Sequence, residues 1–226
     1  MSTPSGYAGW QEYQYLITEG QKYHPDLVVL SFVHNDVVNL ISAPLSNKGR
    51  NEGIVYSGFY YNSGICFLAR KLEPLFARKL PAGLQLEKLI PDNILIVDPD
   101  RPDVKEAWSQ ALVDLGNMTK FCRDQNFPLL LLAFPITFQF EDPEKSDPPH
   151  QNLAEFSARE NVPFLDLLPP LAKAMKQESA TTPDYFLDVT HFTARGNHVV
   201  AQIISDFMLE RGLLPGIAVE QSAPLP

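Results

Sequence analysis

The chain has 226 residues, a length that suits one α/β domain or one domain with an insertion. Hydrophobic residues make up 45% of it, which is enough for a sizeable core. The formal net charge of −9 argues against a protein that binds a nucleic-acid backbone, because such binding needs clustered Lys and Arg. No run of about 18 apolar residues predicts a membrane span. The N-terminal residues lack the basic and apolar segments of a signal peptide, and no compartment is assigned.

The first half of the chain predicts a helix, a strand and a long irregular stretch. Apolar side chains at helical spacing predict an amphipathic helix over residues 9–23. The apolar run LVVLSFV (27–33) is typical of a strand buried on both faces of a parallel sheet. Residues from about 37 to 102 have an irregular pattern and are interpreted as an insertion.

Helices and strands alternate regularly in the second half. A helix is expected to begin at Asp103 as its N-cap, followed by a buried strand in FPLLLLAFP. A polar loop, a helix over 151–160, a short strand in VPFLDL and helices near 170–177 and 194–211 complete the pattern. Gly212 ends the last helix. The chain is therefore predicted to be a single α/β domain over 1–211 with a C-terminal tail over 212–226.

Polar residues follow the predicted strands, where ligands bind in doubly wound sheets. HND (34–36) follows the first strand, and DVTH (188–191) lies in the loop after the third. An aspartate can orient an imidazole, and an oriented imidazole is a general base. Two plainer interpretations stay open: Asp188 caps the next helix with His191 at its rim, and Asn35 with Asp36 only forms a turn.

Three further polar residues are given structural roles. We interpret His34 as a packing residue or one that lines a cleft. His150 lies in a polar loop and is expected to be solvated, and Asp166 at the end of the third strand is expected to cap a helix. Cys66 and Cys122 have no metal-binding spacing and are expected to be free thiols or packing residues.

Taken together, SGYAGWQEY, LSFVHND and DVTH resemble three of the four sequence blocks of the SGNH hydrolases, also called GDSL esterases and lipases. The resemblance spans residues 5–209, although residues 37–102 add no motif, and Val33 stands where the third block has glycine. It implies a flavodoxin-like, three-layer α/β/α fold with a parallel sheet. It also implies His191 as general base, Asp188 as its orienter, and Asn35 with the Gly6 amide as the oxyanion hole, without cofactor or metal. A glycine near a terminus is, alternatively, only a flexible residue.

The block that carries the nucleophilic serine in Gly-Asp-Ser is absent from the sequence. In the family's order it precedes Gly6, so the nucleophile is unknown and the chain is expected to be N-terminally truncated. The three strands would then be the third to fifth of the flavodoxin-like order, and the first two would be missing. We expect the strand near Leu27–Val33 to have a free edge through which the chain self-associates.

The resemblance implies an ester hydrolase that forms an acyl-enzyme from an acyl ester or an acylated carbohydrate or lipid. The alternatives are an O-acyltransferase-like relative, a non-catalytic binding module with this fold, and an unrelated flavodoxin-like domain that binds a phosphate-bearing ligand. The last is disfavoured because no glycine-rich phosphate loop follows a strand. This chain alone is expected to be inactive because the nucleophile is missing.

Overall fold

The computed structural model describes residues 9–42, 93–140 and 147–214 of the chain. Gly6, Cys66, most of the expected insertion and the end of the C-terminal tail lie outside these ranges. The described helices and strands, in chain order, are α1 Gly9–Thr18, β1 Val28–Phe32, α2 Asn35–Ser42, α3 Ile94–Val97, α4 Pro102–Asp124, β2 Leu129–Ala133, α5 Pro148–Glu160, β3 Phe164–Asp166, α6 Leu168–Gln177, α7 Thr182–Tyr185 and α8 Ala194–Glu210. Short 3-10 helices cover Gly20–Tyr23 and Thr137–Phe140.

The strands form a parallel sheet in the order β1-β2-β3. Leu30 of β1 lies opposite Leu131 of β2, and Leu132 of β2 lies opposite Leu165 of β3. Because the strands are parallel, their carboxyl ends share one edge, where the chain leaves towards α2, the 3-10 helix at 137–140, and α6. The predicted mixed α/β character is confirmed.

Apolar side chains on alternate residues of β2 belong to two separate hydrophobic clusters. Leu129, Leu131 and Ala133 pack in a cluster with side chains from α1, α2, α4 and α5. Leu130 and Leu132 point the other way and pack with side chains from α6 and α8. All five residues of β2 are buried, as expected for a central strand covered on both faces.

The expectation that β1 is buried on both faces is wrong. Leu30 and Phe32 are buried, but Val29 is 42% exposed and Ser31 is also exposed. In the part of the chain that the structure describes, β1 pairs only with β2. Leu130 and Leu132 lie opposite Val29 and Ser31 on the same face of the sheet and are buried, whereas Val29 and Ser31 are exposed. Self-association through this strand stays a prediction.

Three boundaries differ from the sequence-based expectation. The helix α4 begins at Pro102 with Arg101 as its N-cap, so Asp103 is not the cap. Proline suits the first position of a helix because the N–H that it lacks would have no partner there. The expected helix over 9–23 ends at Thr18 and continues as a 3-10 turn, and part of the expected irregular stretch is helical, as α2 and α3.

At its far end, α8 stops at Glu210 and is followed by Gly212 with a φ of 63°, close to the predicted boundary. The division into a domain over 1–211 and a tail over 212–226 stays a prediction. None of the described helices is both long enough and apolar enough to cross a membrane.

Candidate functional site

Residues 186–193, here called the base loop, form a tight turn between α7 and α8. Phe186 and Phe192 form an isolated antiparallel bridge at its base, and the Leu187 N–H donates to the His191 carbonyl over 2.7 Å. The two aromatic rings pack at a tilt of 38° with their centroids 4.5 Å apart. The five residues between Phe186 and Phe192 therefore belong to a turn that is closed by both backbone and side chains.

Asp188 and His191 meet within this turn. Nδ1 of His191 lies 2.8 Å from Oδ2 and 3.0 Å from Oδ1 of Asp188. Oδ1 also accepts the backbone N–H groups of Thr190 and His191, each over 2.9 Å. Asp188 therefore holds both the turn and the imidazole, which is the arrangement that orients a general base.

The electrostatics favour an ionised Asp188. Its partial desolvation by itself raises the pKa, but the hydrogen bonds from the two backbone N–H groups and from the His191 ring outweigh it and hold the pKa below the ordinary value. A carboxylate partner makes Nδ1 the protonated ring nitrogen, which leaves the lone pair on Nε2. His191 is 76% exposed at its side chain, so Nε2 is accessible from solvent.

Aromatic packing fixes the base loop to the carboxyl edge of the sheet. Phe134, directly after β2, has its ring 6.1 Å from that of Phe192, and Phe140 has its ring 5.4 Å from that of Phe186. The Thr137 N–H donates to the Val189 carbonyl over 3.0 Å. The segment after β2 therefore supports the turn that carries the imidazole.

The alternative in which Asp188 caps the following helix is wrong, because Thr193 does so. The Thr193 hydroxyl accepts the Gly196 N–H over 3.1 Å and donates to the Asp184 carbonyl, and the Thr193 N–H donates to the Tyr185 carbonyl. Gly196 is buried at this crossing of α8 with α7. Asp188 is thus left to bind the turn and the histidine.

Asn35 lies at the start of α2 and is exposed. The turn before it is closed by Asp36, whose N–H donates to the Val33 carbonyl and whose carboxylate accepts the Val33 N–H over 2.8 Å. The His34 carbonyl accepts the N–H groups of Val37 and Val38. Asn35 is therefore the first residue of α2. The interpretation that Asn35 and Asp36 only form a turn after the strand is incomplete, because both residues also belong to this helix.

Backbone contacts relate the Asn35 segment to the base loop. The Phe134 N–H donates to the Phe32 carbonyl over 2.9 Å at the end of β1, and the Phe134 ring contacts Phe192. Asn35 follows Phe32 by three residues, and His191 precedes Phe192. The two predicted site segments therefore lie at the same edge of the sheet, while Gly6 lies outside the described residues.

Asp36 is buried, with 7% of the residue exposed. Burial is the largest cause that raises its pKa well above the ordinary value; the charge of Glu12 on α1 adds to this, and the Val33 N–H opposes it. A cavity of about 10 Å³, lined also by Asp114 of α4, lies beside it. The Asp36 carboxyl in the first turn of α2 is therefore protonated at a higher pH than an ordinary aspartate.

We expect the substitution Asp36→Asn to raise stability more at pH 7 than at pH 4.5. An acid with a raised folded-state pKa contributes stability that is fully present below its unfolded pKa and is lost as the pH rises towards the folded pKa. An amide has no such loss and can still accept the Val33 N–H. Urea unfolding at both pH values measures the effect.

The exposed Asp103 provides a control of opposite sign. Its pKa is lowered mainly by a hydrogen bond from Arg101, so its contribution is present above the unfolded pKa and lost in acid. Asp103→Asn should therefore lower stability slightly and by nearly the same amount at pH 7 and pH 4.5, because both values lie above the ordinary pKa of 3.8. A constant difference between the wild-type and Asp36→Asn proteins across this pH range would contradict the assignment.

Sequence reasoning missed a buried polar cluster at the same edge. The prediction that His150 is solvated is wrong: it lies in the first turn of α5 and only 4% of it is exposed. Leu167, not Asp166, is the N-cap residue of α6, although Asp166 accepts the Leu168 N–H in the first turn and also bonds to His150. The sequence offered one signal for a buried His150, namely the acidic residues Asp147 and Asp166, which both contact its ring in the folded chain.

The described part of the chain also contains a groove that lies away from the base loop. A groove of about 400 Å³ lies at the opposite end of β3, between α5 and the end of α8, and is lined by Asn161, Phe164 and Arg211 among others, but not by His191. In the described ranges, no group of three or more His, Cys, Asp or Glu residues stands close enough to hold a metal ion. Cys122 is a buried free thiol, and burial raises its pKa to about 11.

The fold and site define a mixed α/β protein with a three-stranded parallel sheet and an Asp–His pair at its carboxyl edge. Compared with known proteins, the chain matches no family model, no curated protein and no solved structure.

Proposed function

We propose that this chain carries the base and the oxyanion-binding residues of a serine ester hydrolase of the SGNH type. The observation that carries the proposal is the 2.8 Å contact between His191 Nδ1 and Asp188 Oδ2, with Nε2 on the exposed side of the ring. This is the arrangement that a serine needs in its general base.

In the proposed reaction, Nε2 of His191 takes the proton of a serine hydroxyl as its oxygen attacks the ester carbonyl carbon. Asp188 stabilises the imidazolium that forms, and its lowered pKa keeps it ionised for that role. The imidazolium then gives its proton to the departing alkoxide, which leaves an acyl-serine. Water repeats the two proton transfers and releases the acid.

Asn35 and Gly6 are the proposed donors to the oxyanion. Support for Asn35 comes from its place at a helix start on the same edge as His191, with the preceding turn fixed by Asp36. A side-chain N–H held in place before the reaction stabilises negative charge as it develops. The Gly6 amide is proposed on the resemblance alone.

The nucleophile is proposed to come from a segment that pairs with the edge of β1 that has no partner strand among the described residues. The exposed Val29 and Ser31 support this, since a strand and helix added there would cover them as β2 is covered. The sheet would then be the flavodoxin-like sheet with helices on both faces. The carboxyl end of the added strand would be at the edge that holds Asn35 and His191.

The proposed substrates are acyl esters, including acylated carbohydrates or lipids, and an alcohol in place of water would make the same site an O-acyltransferase. The test uses the protein encoded by the whole reading frame, incubated with a fluorophosphonate that labels activated serines. Labelling is expected on a serine in a Gly-Asp-Ser segment before Gly6, together with hydrolysis of p-nitrophenyl acetate. The absence of both label and turnover would favour the non-catalytic module.

In the same protein, Asn35→Ala is expected to lower kcat by about 10²–10³-fold with little change in KM, since it removes one oxyanion donor. The matched control is Asn152→Ala, which truncates an asparagine within α5 that has no role in the proposed reaction. Steady-state kinetics on p-nitrophenyl acetate measures both. An unchanged kcat in the Asn35 variant would remove this residue from the site.

A further inference from the structure

Two buried histidines, His34 and His150, lie at the carboxyl edge of the sheet without a place in the proposed reaction. Each is only 4% exposed. Their rings meet edge to face, with centroids 6.2 Å apart and planes at 72°. Burying a polar imidazole costs free energy unless it gains hydrogen bonds or charged partners. Two such side chains beside the proposed site therefore suggest a function for the pair.

His150 is held between two carboxylates. Its Nδ1 lies 2.7 Å from Oδ1 of Asp166 and 3.6 Å from Oδ2 of Asp147. Burial alone lowers the pKa of His150, but its hydrogen bond to the Asp166 carboxylate and the charges of both aspartates outweigh burial, so that the pKa lies above its ordinary value. His150 is therefore a buried side chain anchored by carboxylates at the end of β3 and at the start of α5.

His34 is the neutral member of the pair. Burial, and then the positive charge of His150, lower its pKa to about 3. Its backbone begins α2, since its carbonyl accepts the N–H groups of Val37 and Val38, and Asn35 is the next residue. The ring of His150 therefore limits where the His34 ring, and with it the start of α2, can lie.

The same cluster reaches the base loop from the other side. Asp147 accepts a hydrogen bond from the Gln139 amide, and the Gln139 side-chain oxygen accepts the Ile136 N–H over 2.6 Å. The next residue, Thr137, donates its N–H to the Val189 carbonyl between Asp188 and His191. A continuous path of contacts thus joins the Asn35 segment to the base loop through His150.

We propose that His150, held by Asp147 and Asp166, is a positioning residue that sets Asn35 relative to His191. The inference rests on the proposed function and adds a residue that acts through the oxyanion donor. Asn35 and His191 are both exposed and are not joined by a direct hydrogen bond, so their spacing depends on what lies beneath them. Misplacing a reacting group by about 1 Å is enough to cost on the order of 10²-fold in rate.

The test is a double-mutant cycle on the protein encoded by the whole reading frame, with p-nitrophenyl acetate as substrate. His150→Phe keeps a ring against His34 but loses both carboxylate contacts. We expect it to lower kcat by about 10²-fold with KM unchanged. In an Asn35→Ala background the same substitution should change kcat less than about two-fold, because the donor that it misplaces is gone.

The control for general destabilisation is Met118→Ala, which opens a cavity in α4 on a side chain that is 2% exposed. Measured below its melting temperature, it should keep the wild-type kcat. His150→Asn, which can return a donor towards Asp166, should recover part of the lost kcat. Full kcat in His150→Phe, or a loss that simply multiplies with that of Asn35→Ala, would overturn the inference.

A second readout needs no catalysis and separates the two proposals. In 15N-labelled protein, His150→Phe should shift the Asn35 side-chain amide and the His191 ring signals, while Met118→Ala leaves both in place. If these signals move but Asn35→Ala leaves kcat unchanged, the positioning is real and the proposed oxyanion role fails. If they stay in place, the positioning role itself fails.

Discussion

Replacing His191 with alanine is expected to lower kcat/KM for p-nitrophenyl acetate by about 10⁴-fold in the protein encoded by the whole reading frame. The serine would lose the group that takes its proton, and the leaving alkoxide would lose its acid. Initial rates over a range of substrate concentrations measure the loss. Folding should be nearly unchanged, because the side chain is 76% exposed and its ring bonds only within the turn.

The matched control is His198→Ala, which removes another exposed histidine within α8. It should keep the wild-type rate. Asp188→Asn should lie between the two, since the amide can still accept backbone N–H groups but no longer stabilises an imidazolium. Because this pair is largely exposed, water replaces part of the lost stabilisation, and the loss should be smaller than for His191→Ala. Equal rates in the His191 and His198 variants would remove the Asp–His pair from catalysis.

Much of the sheet was predictable because its strands have an unusual composition. LLLLA in β2 has no polar residue and is buried throughout, so the apolar run and the structure agree. The Asp188–His191 contact was also predictable, since a spacing of three residues allows the carboxylate to reach the ring within one turn. Local sequence determines both features.

Features that depend on distant segments were not predictable. VVLSF has the composition of a covered strand, but the exposure of Val29 depends on whether another segment packs there, and no pattern within the strand records that. His150 was expected to be exposed to solvent because its neighbours in sequence are polar. It is buried instead, where its ring bonds to Asp166, which is 16 residues away. The prediction failed because hydrophobic periodicity does not register a buried contact between a histidine and a carboxylate.

The helix boundaries show the same division between local and distant causes. Gly212 ends α8 as predicted because a left-handed residue stops a helix by its own geometry. Thr193 caps α8 through its own hydroxyl. Gly196, by contrast, has no local cause to be glycine within a helix, and its explanation lies in α7 and the base loop.

Gly196→Ala should be among the most destabilising single substitutions in this chain. A Cβ there would overlap the Tyr185 carbonyl oxygen and would stand 3.0 Å from its carbonyl carbon and 3.1 Å from Cδ1 of Phe192. Backbone cannot move aside as a flexible side chain can, so the cost should reach or exceed the roughly 1–3 kcal/mol typical of overpacking. Urea unfolding measures it.

Gly116 in α4 is the matched control, because a Cβ there meets nothing within 4 Å. Gly116→Ala should stabilise the protein by about 0.5–1 kcal/mol through helix propensity alone. The same chemical change thus has opposite signs at the two sites. Gly196→Ala should also shift the His191 ring signals, since Phe192 closes the base loop, whereas Gly116→Ala should leave them in place. If both substitutions stabilised the protein, Gly196 of α8 would not be packed closely against the Tyr185 carbonyl. The close contact between α8 and α7 would then not be what holds the base loop.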